Sequence, residues 1–112
     1  MAIQYKVIEP DCGIRVTKVN MYAVSNKLYT KAKVSVELNG AILIRDMSVM
    51  EGQYGLFVAY PLDKNSRCEE GRFIVELLDN KVRTYIEAVV LNKYNEVIEA
   101  ANQSVSVKEW RA

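Results

Sequence analysis

The chain has 112 residues, half of them hydrophobic, and its 15 basic and 14 acidic side chains leave a formal net charge of +1. This length predicts a single domain, and the near-neutral balance argues against a strongly basic nucleic-acid-binding protein. No apolar run approaches the roughly 18 residues that cross a bilayer, and the N-terminus has no signal-peptide hydrophobic region. We therefore expect a cytoplasmic protein. Any positive face must be local, and residues 1–50 favour it, with seven Lys or Arg against four Asp or Glu.

The sequence contains few of the residues that a catalytic or metal site requires. The chain has no histidine, so Ser–His and Cys–His nucleophile pairs are impossible. Cys12 and Cys68 match no paired-ligand spacing and are typical of plain thiols in a cytoplasmic chain; a disulfide between them is the alternative. Gly52-x-x-Gly55 is too short for a phosphate-binding fingerprint and precedes a strand. We predict that the protein is not an enzyme and needs no cofactor or metal.

The first half of the chain reads as strands. Ile3–Pro10 predicts a short edge strand, and Pro10 and Gly13 break the pattern before a second strand at Ile14–Tyr22. Ser25-Asn26 indicates a turn. Leu28–Leu38 then alternates, with apolar side chains at most even positions and polar ones at the odd positions. Alternation of this length is typical of a half-buried antiparallel strand.

Two turns follow this strand. Asn39-Gly40 is a strong hairpin signal because both residues tolerate positive φ, and it leads into a partner strand at Ala41–Met50. The glycines of the Gly52–Gly55 turn indicate backbone angles that a side chain would resist. The next strand, Leu56–Tyr60, ends at Pro61, which has no N–H.

The second half predicts one long helix. Residues 62–71 form a polar loop, and Arg72–Glu76 is a candidate for a short fifth strand. Asp79 or Asn80 suits a helix N-cap, and apolar residues at helical spacing extend the helix from about 80 to about 101. The tail, Gln103–Ala112 with Trp110, suits a last strand or a docking segment. The fold class is therefore α+β: an antiparallel β-meander of four to six strands packed against one long C-terminal helix.

Basic residues give two candidate nucleic-acid-binding spots. Lys31 and Lys33 share the polar face of one strand beside Tyr29, with Arg45 on the neighbouring strand; basic and aromatic side chains on a sheet can hold phosphates and stack bases. The second spot comprises Lys64, Arg67, Arg72, Lys81 and Arg83. An ordinary solvated surface explains both sets as well. Asp46 interrupts an apolar strand, and an ion pair or a turn contact is the simplest explanation.

Residues 47–61, Met-Ser-Val-Met-Glu-Gly-Gln-Tyr-Gly-Leu-Phe-Val-Ala-Tyr-Pro, carry a family resemblance. They are similar to the SpoVG signature "I-R-V-x-x-G-x-x-G-L-F-V-A-M-P", with Tyr60 where the methionine usually stands. The likeness runs from about Ile14 to Tyr94, so residues 14–98 form the expected core of the single domain (1–112). The chain departs from the family by having fewer cations after Pro61 and no "H-P-I" before the helix. Arg83 matches the family's helix arginine.

The resemblance implies a small bacterial regulator that binds DNA, and in some cases RNA, and acts in sporulation, septation or gene regulation. It also implies a homodimer formed through the sheets, which we expect to use the sheet edges. The alternative is a protein-interaction module that kept the fold and lost its nucleic-acid surface. Salt dependence separates the two, because phosphate binding releases counterions.

Overall fold

A computed structural model describes residues 4–24, 29–63 and 73–104, with side chains described up to residue 100. Four strands, β1 (Val16–Val24), β2 (Thr30–Leu38), β3 (Ile42–Gly52) and β4 (Gly55–Ala59), precede one helix, α1 (Asn80–Ser104). The strands pair antiparallel in the order β1-β2-β3-β4. This confirms the predicted α+β meander with a C-terminal helix.

The β2–β3 hairpin turns at the predicted Asn-Gly pair. Asn39 and Gly40 have φ of 55° and 63°, and the amide of Ala41 donates to the carbonyl of Leu38 at 2.9 Å. Two successive positive φ values give the turn whose twist matches antiparallel strands. The Asn39 side chain also accepts a hydrogen bond from the Arg15 amide at 2.8 Å, so it fixes the entry to β1.

The two glycines of the β3–β4 turn differ in backbone angle and in surroundings. Gly55 has a φ of 118°, a region that side chains rarely adopt, as predicted. Gly52 has no positive φ; a Cβ there would lie 2.9 Å from the ring of Phe57. A side chain at Gly52 would therefore displace the Phe57 ring, and the prediction of a special backbone angle was wrong for this residue.

A bulge in β3 changes which side of the sheet its residues face. The pairing shifts between Val34↔Met47 and Val36↔Ile44, so that Arg45 and Asp46 together oppose one residue of β2. Asp46 has a φ of 63°, which aspartate tolerates better than most side chains. The predicted strand is therefore two segments with the bulge between them.

The core lies between the sheet and α1. Even-numbered residues of β2 and the apolar side of α1 supply most of it; Val34, Val36, Met47, Val49, Ile86 and Val90 are fully buried. The side chain of Asp79 accepts a hydrogen bond from the Lys81 amide at 2.8 Å, which confirms the predicted N-cap. The buried side of the helix is wider than predicted, because Tyr85, Ala88 and Leu91 are also buried.

Two predicted strands were wrong within the described residues. Residues 4–10 are irregular, because the backbone of Tyr5 bonds to the side chain of Asn92 instead of to a strand. Phe73 makes a single bridge to Leu62, and the chain bends directly after it. Pro61 has no N–H with which to continue that ladder. The predicted turn at Ser25-Asn26, most of the predicted loop at 62–71 and residues 105–112 of the predicted tail lie outside the described residues.

Candidate nucleic-acid interface

The sheet has an open face, which we define as the side that carries Lys33, Ser48 and Ala59 and points away from α1. Residues 32, 34, 36 and 38 of β2 are buried in the core, so Lys33 between them points the opposite way. A register shift between Thr30 and Ala32 takes Lys31 out of this alternation, so the prediction that strand alternation places both lysines on one face was wrong. On this face Lys33 lies opposite Ser48 of β3, which in turn lies opposite Ala59 of β4. The predicted sheet-centred spot is therefore accessible to a ligand from one side.

Each of the two β2 lysines is paired with a carboxylate. Lys31 Nζ lies 3.3 Å from Glu51, and Lys33 Nζ lies 3.9 Å from Asp46. The side chain of Lys31 is only 18 % exposed, against 44 % for Lys33. Lys31 thus has a structural role, whereas the longer and more exposed pair of Lys33 can exchange its carboxylate for another anion. The ion pair predicted for Asp46 is confirmed, although Asp46 is exposed rather than buried.

Arg45 is exposed on the β3 bulge, next to Asp46. Among the described residues it has no carboxylate within ion-pair distance, so its guanidinium is available. Lys33 and Arg45 are consequently the two predicted sheet cations best placed to contact a polyanion. The bulge, and not strand alternation alone, determines how Arg45 is presented.

The two predicted helix cations, Lys81 and Arg83, lie near acidic side chains or a backbone carbonyl. Lys81 is exposed and lines a shallow groove together with Glu9 and Asp11, which offset its charge. Arg83 donates to the carbonyl of Leu77 at 3.2 Å, so part of its role is to hold the chain before the helix. The other three predicted members of this spot, Lys64, Arg67 and Arg72, lie outside the described residues.

A cleft of about 630 Å³ adjoins the open face, and we call it the β4 cleft. Lys33, Asp46 and Ser48 line one part of it. The other lining residues come from β4, from the chain on either side of residues 64–72, and from the helix; they include Phe57, Tyr60, Phe73, Arg83 and Glu87. The cleft therefore joins the predicted sheet spot to the first turns of the helix.

The β4 cleft contains a polar pair that the sequence analysis did not identify. The hydroxyl oxygen of Tyr60 is buried and lies beside the carboxylate of Glu87, with which it interacts. Burial and the nearby Glu87 carboxylate raise the pKa of the Tyr60 hydroxyl. Burial also raises the pKa of Glu87, and the positive charge of Arg83 opposes this. The available signals were Tyr60 in place of the usual methionine and the i, i+4 spacing of Arg83 and Glu87.

Metal and membrane features are absent from the described part of the chain. No three carboxylate or thiol groups there are arranged to hold a metal ion. Cys12 is exposed and has a free thiol. Within the same residues, no helix has both the length and the apolar character that crossing a bilayer requires.

Sequence comparison links the chain to known proteins. The SpoVG family profile matches residues 14–96. A protein of Heliobacterium modesticaldum is 40 % identical over 90 residues, which cover 79 % of this chain and 92 % of that protein. A Caldicellulosiruptor saccharolyticus protein is 34 % identical over 78 % of this chain and 98 % of its own length. A Staphylococcus aureus protein is 32 % identical over 86 % and 95 %. All three carry the SpoVG name, and their names refer to septation.

Proposed function

This chain belongs to the SpoVG family, and on that premise we propose that it is a regulatory protein that binds nucleic acid as a homodimer. The names of its relatives refer to septation, so septation, sporulation or the associated gene regulation is the process in which we place it. The contacts are non-catalytic. Cations hold the phosphates, and any sequence preference comes from contacts to bases.

One observation carries the proposal: Arg45 is exposed and Lys33 is half-exposed on the two central strands of a sheet whose other face is covered by the helix. A sheet face accommodates an extended strand of nucleic acid, with phosphates on cations and bases on aromatic rings. Phe57 is 44 % exposed and comes from β4, two strands away from Lys33, so it supplies such a ring.

The carboxylates beside the lysines weaken this surface without abolishing it. An exposed ion pair contributes at most about 1 kcal/mol, so a phosphate can replace Asp46 at Lys33 at little cost. Each phosphate that is neutralised also releases counterions, which favours binding at low salt. We therefore expect binding of moderate affinity that falls steeply as salt is added.

The homodimer is supported by the sheet edges. β1 pairs with β2 on one side and with no described strand on the other. An unpaired edge strand exposes backbone donors and acceptors that a second copy can satisfy. A molar mass of twice the monomer by light scattering, at micromolar concentration, is the expected result; a monomer mass would refute this part of the proposal.

Fluorescence anisotropy with labelled single-stranded DNA, single-stranded RNA and duplex DNA tests the binding. The logarithm of the association constant should fall linearly with the logarithm of salt concentration, with a slope of about −0.7 to −0.9 for each phosphate contacted. Lys33→Gln and Arg45→Gln should each weaken binding and reduce that slope by about 1. Lys6→Gln is the matched control, because it removes the same charge from the exposed N-terminal segment.

A protein-interaction module is the second candidate, and the carboxylate partners of both β2 lysines favour it. It predicts no binding to any of the three probes at low salt, or binding that does not respond to salt. Either result would replace the nucleic-acid proposal and leave the family assignment unchanged.

A further inference from the structure

The open face carries an exposed aromatic ring on each of its two outer strands. Tyr22 of β1 is 53 % exposed, and Phe57 of β4 is 44 % exposed. Lys33 lies on β2, between these two strands in the order of the sheet. We propose that the two rings stack on separate bases of one unpaired nucleic-acid strand that crosses the sheet from β1 to β4, so that the protein selects single strands over duplexes. This inference rests on the proposed function, because it names the kind of nucleic acid that the open face holds.

A bulge in β1 leaves Tyr22 on the open face. The pairing with β2 shifts by one residue after Met21, so that Tyr22 and Ala23 together oppose Lys33. Met21 and Val24, on either side of these two residues, pack against the core. Tyr22 itself stays more than half exposed. Its ring is therefore available beside the cation that the proposed function assigns to phosphate.

Ordinary strand alternation places Phe57 on the same face. Phe57 lies opposite Met50 of β3, and its neighbour Val58 is buried in the core on the helix side of the sheet. Phe57 also lines the β4 cleft together with Lys33 and Ser48, both of which belong to the open face. The two rings thus lie on one surface, on either side of Lys33 in the order of the strands.

The separation of the rings excludes two neighbouring stacked bases. Three strand intervals of about 4.8 Å lie between β1 and β4, so the strands that carry the rings are about 14 Å apart. Neighbouring nucleotides of a helical strand are only about 3.4 Å apart along its axis. A strand that reaches both rings must therefore be extended, with at least one nucleotide between the two stacked bases. A duplex keeps its bases paired inside the helix, so it cannot stack on either ring.

The charges along this path suit a phosphodiester backbone. Lys33 lies between the rings, and Arg45 is exposed beside the path on β3. Two carboxylates of the open face are already engaged: Asp46 lies 3.9 Å from Lys33 Nζ, and Glu37 accepts a hydrogen bond from the Thr17 hydroxyl at 2.8 Å. The exposed Asp46 pair is weak enough for a phosphate to replace it. A neutral peptide that covered both rings would gain nothing from the cation between them.

Fluorescence anisotropy of labelled probes, titrated with the full-length protein at low salt, tests the inference. One probe is a DNA single strand of about 16 nucleotides, within the range of known single-strand sites, and the other is the same strand paired with its complement. The single strand should bind about tenfold more tightly, which is within the range for a base stacked on an aromatic ring. The duplex should still bind through the cations, and its affinity should fall with salt.

Substitutions of the two rings separate stacking from charge. Tyr22→Leu and Phe57→Leu should each weaken single-strand binding by about tenfold, while the salt slope stays the same because no charge is removed. Lys33→Gln, by contrast, should reduce that slope by about 1. Tyr22→Phe keeps the ring and should bind as the natural protein does. Tyr54→Leu is the control, because Tyr54 is 96 % exposed in the β3–β4 turn, and it should leave binding unchanged.

Failure of the two-ring path and failure of the proposed function give different results. Unchanged duplex binding by both leucine variants shows that they are folded and that their loss is confined to the single strand. Equal, salt-sensitive binding of the two probes, or leucine variants that bind the single strand as the natural protein does, overturns the two-ring path and leaves nucleic-acid binding intact. No binding of either probe at low salt overturns the proposed function, and the two-ring path with it.

Discussion

Asn92 of the helix is joined to the backbone of Tyr5 by two hydrogen bonds. The Tyr5 amide donates to Asn92 Oδ1 at 2.8 Å, and Asn92 Nδ2 donates to the Tyr5 carbonyl at 2.7 Å. A side-chain amide has one acceptor and one donor group, as a backbone peptide does. Asn92 therefore takes the place of the neighbouring strand with which the predicted N-terminal edge strand would have paired.

Asn92→Ala should therefore release the N-terminal segment. The substitution leaves two backbone groups of Tyr5 without partners, and we expect the free energy of unfolding to fall by about 1–2 kcal/mol in urea denaturation. Hydrogen exchange at the Tyr5 amide should accelerate. Asn20→Ala, at an exposed asparagine of β1, is the control and should change stability little. Equal stability losses in the two variants would show that the Asn92 pairing is not important.

Tyr85 fixes the other contact between the helix and the start of the sheet. Its hydroxyl accepts a hydrogen bond from the Val16 amide at 2.7 Å, and its side chain is buried. Tyr85→Phe keeps the ring and removes the acceptor, so Val16 at the first position of β1 loses its partner. We expect a loss of about 1–2 kcal/mol in unfolding free energy and faster exchange of the Val16 amide.

The control for Tyr85 is Tyr54→Phe. Tyr54 is 96 % exposed in the β3–β4 turn, so the loss of its hydroxyl should not change the unfolding free energy measurably. A Tyr85→Phe protein as stable as the Tyr54→Phe protein would mean that solvent replaces the Val16 contact.

The fold was predictable where local chemistry is strong. The alternation of β2, the Asn39-Gly40 turn and the Asp79 cap each depend on neighbours within a few residues, and all three are present. The predicted edge strand at the N-terminus failed because its partner is a side chain 87 positions away. No local pattern records that Asn92 will face Tyr5.

The candidate site was less predictable for the same reason. Lys31 and Lys33 look equivalent in the sequence, but the Glu51 and Asp46 carboxylates reach them across the sheet at different distances and exposures. The β3 bulge that presents Arg45 shifts the register by one residue, which alternation alone cannot reveal. Tyr60 and Glu87 meet only after the helix packs on the sheet.

The pH dependence of stability should report on Glu87. Its pKa is raised from 4.5 by burial, so above pH 4.5 the unfolded chain releases this proton before the folded protein does. The folded state then binds more protons, and the stability that Glu87 contributes decreases as pH rises through its folded pKa. Glutamine at this position cannot ionise, so the variant does not lose this stability as pH rises. We therefore expect Glu87→Gln to gain stability relative to the natural protein as pH rises.

Urea denaturation of both proteins at pH values from about 4 to about 8 measures this difference, which should be smallest at the acid end. Glu99→Gln, on an exposed part of the helix, should follow the natural protein at every pH. A Glu87→Gln difference that is constant with pH, or that shrinks towards neutral pH, would contradict the assigned direction of the pKa shift.

Asp46→Asn tests whether the carboxylate on the bulge limits nucleic-acid binding. Asparagine tolerates the positive φ of 63° at this position, so the backbone should be kept. The substitution removes the negative charge that lies 3.9 Å from Lys33 Nζ and leaves that cation free for phosphate. We expect tighter binding of single-stranded probes, by about fivefold at low salt, and a salt slope steeper by about 1.

Asp11→Asn gives the same change of charge at an exposed position away from the open face. It should raise affinity less than Asp46→Asn, because the long-range effect of one charge is screened beyond about 10 Å at moderate salt. Combining Asp46→Asn with Lys33→Gln should abolish the gain, since the freed cation is then absent. Equal gains in the two asparagine variants, or a gain that persists without Lys33, would mean that net charge alone controls binding and that the open face is not the contact surface.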